Sequence, residues 1–366
     1  MKKKILVLSN NCGGLVSFRK EVFEAFLKDG HSVIVVAPQD YKTEIIKEIG
    51  CQYCPISFNR QGTNPIADIK LMLKYRQILK KEKPNVVLTY TIKPNLYGGM
   101  ACRLTRIPQI ANITGLGIAT EKPGLLYSIT KILYKLGLKK AQKIFFQNKE
   151  NMEFCIKKKL VTAPSSLIPG SGVNLERFHL QPYPDDTTCR FIYIGRIQRR
   201  KGIEQYLKAA QVIKEKYPQT EFHIVGRLEE TKYQATLDHL VSQGTIIYHG
   251  LVKDTRPYLK DMHCTIHPSF YPEGMSNVLL ESCATGRPVI TTNKAGCKDI
   301  VEEGKNGFIV RQQDADDLIE KIEKFILIPH QEKEQMGLYA REKVAKEFNR
   351  QFVINAYLDE INSIHP

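Results

Sequence analysis

Short apolar runs alternate along the whole chain with longer stretches in which apolar residues recur every third or fourth position. Runs at 5–9, 31–37, 85–91, 109–113 and 143–147 are short and rich in β-branched residues, which predicts buried strands. Between them, 17–29, 66–83 and 125–141 have helical spacing. In the first of these, Phe18, Val22, Phe23, Phe26 and Leu27 fall on one side and Gly30 stops the helix. A second series predicts strands at 191–194, 220–225, 245–249, 264–267 and 288–292. Its helices are predicted at 203–217, 233–243, 276–285, 316–328, 335–349 and 352–361. Such alternation builds parallel, doubly wound sheets, so the chain is expected to be α/β with two Rossmann-like domains. Residues 165–186, with Pro169, Gly170, Gly172, Pro182 and Pro184, have linker composition. The expected division is an N-terminal domain at 1–168 and a C-terminal domain at 169–349, with a helix at 350–366 packing back on the first. Ligands of open parallel sheets bind beyond the carboxyl ends of the strands, which predicts a central cleft faced by both domains.

Composition agrees with this picture. A length of 366 residues exceeds what one core usually supports, and 42% hydrophobic with 25% charged residues suits globular domains. No run of eighteen apolar residues exists, so no transmembrane helix is expected. The opening MKKKILVLSNN has an apolar run of only four residues, too short for a signal peptide. A cytoplasmic protein is therefore expected. Cys51 and Cys54 form a C-x-x-C without a second pair at zinc spacing, and the nine cysteines are expected to be reduced.

Charge changes the picture more. The net charge is +16, and residues 1–180 carry 29 Lys and Arg against 12 Asp and Glu, while 181–366 carry 25 against 26. The basic excess belongs to the first half, which should favour an anionic surface or ligand. At 125–143, Leu125, Ile129, Ile132, Leu133 and Leu136 share one helical face and Lys131, Lys135 and Lys139 line another. Two readings stand open: a core-packing helix with a solvated basic face, or a helix lying on anionic lipid.

Candidate chemistry falls in strand-to-helix turns. At 193–202, YIGRIQRRKG, Gly195 allows close backbone approach, and Arg196 and Lys201 could both reach a diphosphate. Arg196, Arg199, Arg200 and Lys201 repel one another unless an anion neutralises them; the plainer reading is a solvated basic turn. At 270–281, FYPEGMSNVLLE holds Glu273 and Glu281, and Ser276 could cap the next helix. Free amides and the helix dipole there would cradle a phosphate, and Glu281 could accept the hydroxyls of a ribose. The plainer reading is a capped helix with two exposed glutamates. At 9–17, SNNCGGLVS is a glycine turn of phosphate-loop type, although it is neither G-x-G-x-x-G nor a P-loop. Asp314-Ala-Asp316 resembles a metal motif but sits where a helix begins, so capping explains it. His263 and His267 have i, i+4 spacing on a segment that reads as a strand.

Glu273-x7-Glu281, preceded by Gly195-Arg196 and Lys201-Gly202, resembles the retaining GT-B glycosyltransferases of family 4. Several other stretches agree: IPGSGVNLERF at 168–178, FHIVG at 222–226, PSFYPEG at 268–274, TGRPV at 285–289 and EGKNGFI at 303–309. TIKPNLYG at 91–98 and ANITGLG at 111–117 are similar to transferases of bacterial capsule, O-antigen and protein-glycan synthesis. The resemblance implies a GT-B fold and transfer of a hexosyl group from a nucleoside diphosphate sugar, with UDP-galactose or UDP-N-acetylgalactosamine favoured. It implies catalytic roles for Arg196 and Lys201 on the leaving diphosphate, in place of a metal or other cofactor, and for Glu273 at the donor sugar. Glu281 would hold the ribose, Gly195 would border the donor, and Gly274, Met275, Ser276, Asn277 and Val278 would present the first turn of the helix to it. Gly13 and Gly14 would close on the phosphate or the acceptor. Many members carry His-Gly where this chain has Thr114-Gly115, so Thr114, Gly115 and Lys93 stand as candidates for sugar or acceptor contacts. A polyprenyl-diphosphate-linked saccharide would match the basic domain as acceptor, with the protein peripheral on the inner face of the cell membrane. The rivals are a sugar-nucleotide epimerase on the same fold, a non-catalytic sugar-nucleotide sensor, and a basic nucleic-acid-binding protein. Against the last, there is no Trp and no recognisable nucleic-acid module.

Overall fold

The computed structural model describes residues 1–60, 62, 64–117, 124–185 and 188–364, apart from the side chains of Leu125 and Leu126. The chain divides into two compact units, Met1–Gly172 with Glu273–Met275 and Gln351–Pro366, and Val173–Pro272 with Ser276–Arg350.

The first unit runs β1 (Lys4–Leu8), α1 (Cys12–Lys28), β2 (Ser32–Ala37), α2 (Thr43–Glu48), β3 (Gln52–Pro55), α3 (Pro65–Glu82) and β4 (Val86–Tyr90). A π-helical turn (Pro94–Gly98) leads into α4 (Gly99–Thr105), followed by β5 (Gln109–Ile113), α5 (Leu125–Leu138), β6 (Lys143–Phe146), α6 (Lys149–Lys157) and β7 (Ser165–Leu167). The seven strands pair in parallel in the order β3-β2-β1-β4-β5-β6-β7. Because both faces of such a sheet are covered by helices, its strands are apolar throughout rather than alternating. Ile5 and Val7 point into one core with Phe23 and Phe26 of α1; Leu6 and Leu8 point into the other with Tyr75 and Leu79 of α3.

The second unit runs β8 (Arg190–Ile194), α7 (Ile203–Lys216), β9 (Glu221–Val225), α8 (Gln234–Ser242), β10 (Ile247–Tyr248), α9 (Arg256–Lys260) and β11 (Cys264–His267). It continues with α10 (Asn277–Ala284), β12 (Val289–Thr292), β13 (Gly307–Val310), α11 (Ala315–Leu327) and α12 (His330–Glu347). Six parallel strands are ordered β10-β9-β8-β11-β12-β13. Arg287, fully buried, ties the unit together by donating to the carbonyls of Leu259 (3.1 Å), Lys260 (2.7 Å) and Pro182 (2.7 Å). The last helix, α13 (Arg350–Ser363), belongs to the first unit from Gln351 onwards. Its Tyr357 packs edge-on to Phe145 at 5.0 Å and accepts a hydrogen bond from the Asn112 amide.

The sequence reading does not contain α2, β3, α4, α6, α9 or β13, and two of its expected segments change. Residues 165–167, expected as linker, form β7, because pairing with β6 supplies the backbone partners that Ser-Ser-Leu does not advertise. Asp186, at the end of that expected linker, lies outside the described residues. The expected strand at 245–249 shortens to Ile247–Tyr248, an edge strand with a single neighbour. Asp314 does cap α11, accepting from the amides of Asp316 and Asp317.

Candidate active site

In the second unit, β8 ends at Gly195, and the chain turns into α7 through a single 3₁₀ turn at Arg199–Lys201. Gly202 adopts φ +77°, a left-handed conformation that favours glycine, and a Cβ there would collide with the Pro268 carbonyl. Gly226 packs its backbone against Gly195 equally closely. The turn is thereby pressed onto the end of β11, which fixes where its cations stand. Arg196 and Lys201 both lie over the ring of Tyr271, at 5.5 and 5.4 Å from its centroid. Arg196 also lies 3.9 Å from Glu229, which Arg227 holds at 2.5 Å. Arg199 turns away to Glu204 at 3.4 Å, so the four cations of the motif are divided, with two directed to the aromatic ring.

Burial is the main cause that brings the Lys201 ammonium down to about 8; Arg196 repels it further, and Cys297 partly offsets this. His267, buried at the end of β11, is held well below its usual range by burial and then by Lys201. This corner of the unit therefore holds positive charge under strain, and a bound anion would relieve it.

At 270–281 the motif divides between the units. Glu273, Gly274 and Met275 belong to the first, and Ser276 onwards to the second. In the first unit, Asn148 donates to the Gly274 carbonyl at 2.5 Å, and a Cβ on Gly274 would stand 2.6 Å from Thr114 O and closer still to Gln147 Oε1. Thr114, a candidate for sugar contacts, thus lines the seat of Gly274. Met275 is buried against Gly170. In the second unit, Ser276 occupies the N-cap of α10, but its hydroxyl makes no capping bond. Its amide donates to Gly296 O at 2.9 Å and so is not offered to a ligand, which corrects the expectation from the sequence. Ser276 Oγ and Asn277 Oδ1 are buried atoms with no hydrogen-bond partner among the described residues. The first-turn amides of α10, Asn277 and Val278 among them, have no carbonyl one turn earlier in the helix. Glu281 is half-buried one turn on, and burial raises its carboxyl to about 7 against the opposing pull of Arg350 and Arg177.

Two further sets of candidates in the first unit have partners within the protein. Gly13 and Gly14 lie in the first turn of α1 rather than in an open loop. The amides of Cys12 and Gly13 donate to Asp40 Oδ2, each at 2.9 Å, and that of Gly14 to Asn11 Oδ1. This helix start is already neutralised by the protein's own carboxylate. Lys93 forms a part-buried ion pair with Asp68 at 2.6 Å, and Asp68 also accepts from the Tyr97 hydroxyl at 2.8 Å. Sequence reasoning missed Tyr271, which it quoted without a role and which no local spacing connects to Arg196 or Lys201. It also missed Asp40, Arg177 and Arg350, which no local pattern marks.

Residues 176–343 match the family model for glycosyl transferases group 1, and residues 4–148 match that for glycosyl transferase 4-like proteins. The chain is 26% identical over 87% of its length, and 88% of the relative's, to the N,N'-diacetylbacillosaminyl-diphospho-undecaprenol alpha-1,3-N-acetylgalactosaminyltransferase of Campylobacter jejuni. It is 27% identical to the UDP-Gal:alpha-D-GlcNAc-diphosphoundecaprenol alpha-1,3-galactosyltransferase of Escherichia coli, covering 69% of each chain. Among solved structures, Anabaena HepE in complex with UDP-glucose superposes with a TM-score of 0.80 at 18% identity, covering 99% of each chain. The fold is GT-B.

Proposed function

This chain belongs to the glycosyltransferases that join a 4-like N-terminal half to a group 1 C-terminal half, and from that premise we propose its reaction. It transfers galactose or N-acetylgalactosamine from the UDP-sugar, with retention, to a saccharide carried on a polyprenyl diphosphate, at the surface of an anionic membrane. The observation that carries the reading is the pair Arg196 and Lys201 over one tyrosine ring, with Lys201 brought down to about 8 by burial and by its neighbour. Such a site gains most from an anion whose charge grows during the reaction. In the step proposed, the bond from the sugar's anomeric carbon to the β-phosphate oxygen breaks. The acceptor oxygen bonds to that carbon on the same face, and its proton passes to the leaving β-phosphate. Arg196 and Lys201 neutralise the UDP that forms, so no metal or other cofactor is required. Glu281 receives the ribose hydroxyls, and the start of α10 faces the phosphates, where the unpartnered Ser276 hydroxyl adds a donor. Glu273 contacts the donor sugar. The undecaprenyl-linked acceptors of the Campylobacter and Escherichia relatives support the choice of acceptor, as does the basic first half.

The test is UDP release from a panel of UDP-sugars in EDTA, with and without a membrane extract supplying lipid-linked acceptors. Acceptor-dependent release from one sugar, unharmed by EDTA, is expected. Conversion of a UDP-sugar without an acceptor would replace this reading with an epimerase, and a requirement for added divalent metal would remove the role given to the two cations.

A further inference from the structure

Helices α3 and α5 each present an outward apolar triplet of the same composition and spacing. In α3 these are Ile66, Ile69 and Leu73, which are 66%, 55% and 43% exposed; in α5 they are Ile129, Ile132 and Leu136, which are 44%, 56% and 41% exposed. Spacing of i, i+3 and i+7 sets each triplet in a line along its helix. The core does not use them, because each helix buries a different face: Leu71, Tyr75 and Leu79 in α3, Tyr134 and Leu138 in α5. Gly137 completes the inward face of α5, so close to the backbone of Leu96 that a Cβ would stand 2.6 Å from its Cα. Of the helical face that the sequence offered as possible core, Ile129, Ile132 and Leu136 are therefore solvent-facing, while Leu133 packs against the core. Leu125 of that set lies outside the described side chains. Both helices pack against the Pro94–Thr105 segment, so the two triplets belong to one layer of the first sheet.

Charge is distributed in the same one-sided way. Between residues 65 and 140 the sequence has 14 Lys and Arg and three carboxylates. Of those, Asp68 is paired with Lys93 and Glu82 with Lys4, while Glu121 lies outside the described residues. Lys70, Lys74 and Lys81 are exposed beside the α3 triplet, and Lys135, Lys139 and Lys140 beside that of α5. The opposite layer is mixed, with Glu21 and Glu24 in α1, Glu44 and Glu48 in α2, and Asp359 and Glu360 in α13.

Apolar lines flanked by long cationic side chains match an anionic bilayer surface: the aliphatic groups enter the headgroup boundary and the ammonium groups meet phosphate. A single-stranded nucleic acid would instead need aromatic platforms for its bases, and Ile and Leu provide none. In crossovers that follow β3 and β5, both helices begin at the carboxyl edge of the sheet, where Thr114 and Asn148 also lie. Ile66, Ile69, Ile129 and Ile132 stand at that end.

We propose that the α3–α5 layer is the membrane-docking face of this protein, with the two Ile-x2-Ile-x3-Leu triplets seated in an anionic leaflet. This rests on the reading of a lipid-borne acceptor and assigns the surface that meets the lipid.

The experiment is co-sedimentation of the full chain with phosphatidylglycerol or phosphatidylcholine vesicles at near-physiological salt. Wild type partitions onto phosphatidylglycerol and little onto phosphatidylcholine. Ile69→Gln/Ile132→Gln lowers the partition coefficient about tenfold or more, and Lys135→Glu/Lys139→Glu does likewise. Lys20→Gln/Lys28→Gln on α1 changes it less than about twofold. Unchanged binding by the isoleucine variant, equal loss in all three variants, or wild-type preference for RNA over vesicles would each overturn the docking face. UDP release with a short, water-soluble acceptor separates the two readings. Lost partition with intact release shows that the variant is folded and supports the face. Intact partition in a wild-type protein that transfers no sugar leaves the face standing and removes the proposed reaction.

Discussion

The turns after β1 and β8 hold equivalent places, each following a strand flanked by its sheet's second and fourth strands in chain order, yet they settle their charge in opposite ways. At α1 the helix amides are bound by Asp40 and Asn11. At α7 the turn brings Arg196 and Lys201 over Tyr271 and leaves Lys201 with its charged form disfavoured. A helix start satisfied by its own carboxylate is a structural element; one with strained cations beside it is prepared for an anion from outside. A glycine turn after a first strand is thus insufficient evidence of a phosphate site, and the charge partner decides.

The largest effect should come from Lys201→Ala, which is expected to lower turnover in the UDP-release assay about 10²–10³-fold. Lys343→Ala removes an ammonium engaged by Glu302 at 2.9 Å and Glu347 at 3.0 Å, and should leave turnover within about twofold. Equal losses would erase the contrast between the turns. Next, Gly202→Ala should destabilise the fold by about 2–3 kcal/mol in urea titration, since it adds a collision to a left-handed backbone. Gly13→Ala meets its nearest neighbour, Asp40 Oδ2, at an ordinary 3.6 Å within a helix, and should be neutral or stabilising by up to about 1 kcal/mol.

The pH profile sharpens the same point. Lys201 is charged below about 8 and neutral above it, so kcat/KM should fall about tenfold per unit on the alkaline side. In Lys201→Arg the guanidinium keeps its charge, and that limb should move up by more than one unit. A limb that stays in place would detach it from Lys201. Glu281→Ala should weaken UDP binding about tenfold by calorimetry, because the ribose loses its carboxylate. Smallest of all, Asp40→Asn should lower stability by about 1 kcal/mol and leave KM for the donor unchanged. A marked change in that KM would mean that the α1 turn takes part in binding after all.

Much of this was legible in the residues themselves. The alternation of short apolar runs and helical stretches located most strands, because a strand buried on both faces needs continuous apolar sequence wherever it lies. Gly195 was the position read for close backbone approach, and Gly226 does press against it; the clustered cations of 193–202 pointed to an anion as their partner. What the pattern missed were elements defined by pairing alone, such as β7, and side chains that act across the sequence. Asp40 lies 28 residues from Cys12, and Arg350 lies far from Glu281; no local spacing connects them.

By itself, then, the sequence determined two α/β units, the turns in which chemistry is concentrated, and a basic first half. Those depend on local periodicity and on residue chemistry, which are properties of neighbours along the chain. Only the tertiary structure decided which turn has its helix amides bound by an internal carboxylate, which ring lies under the two cations, and which side of α5 faces solvent. A helix apolar on more than one side cannot be oriented from its pattern, because its direction is set by the residue it packs against. For α5 that is Leu96 against Gly137, a contact made only when the sheet has folded and brought both helices onto one face.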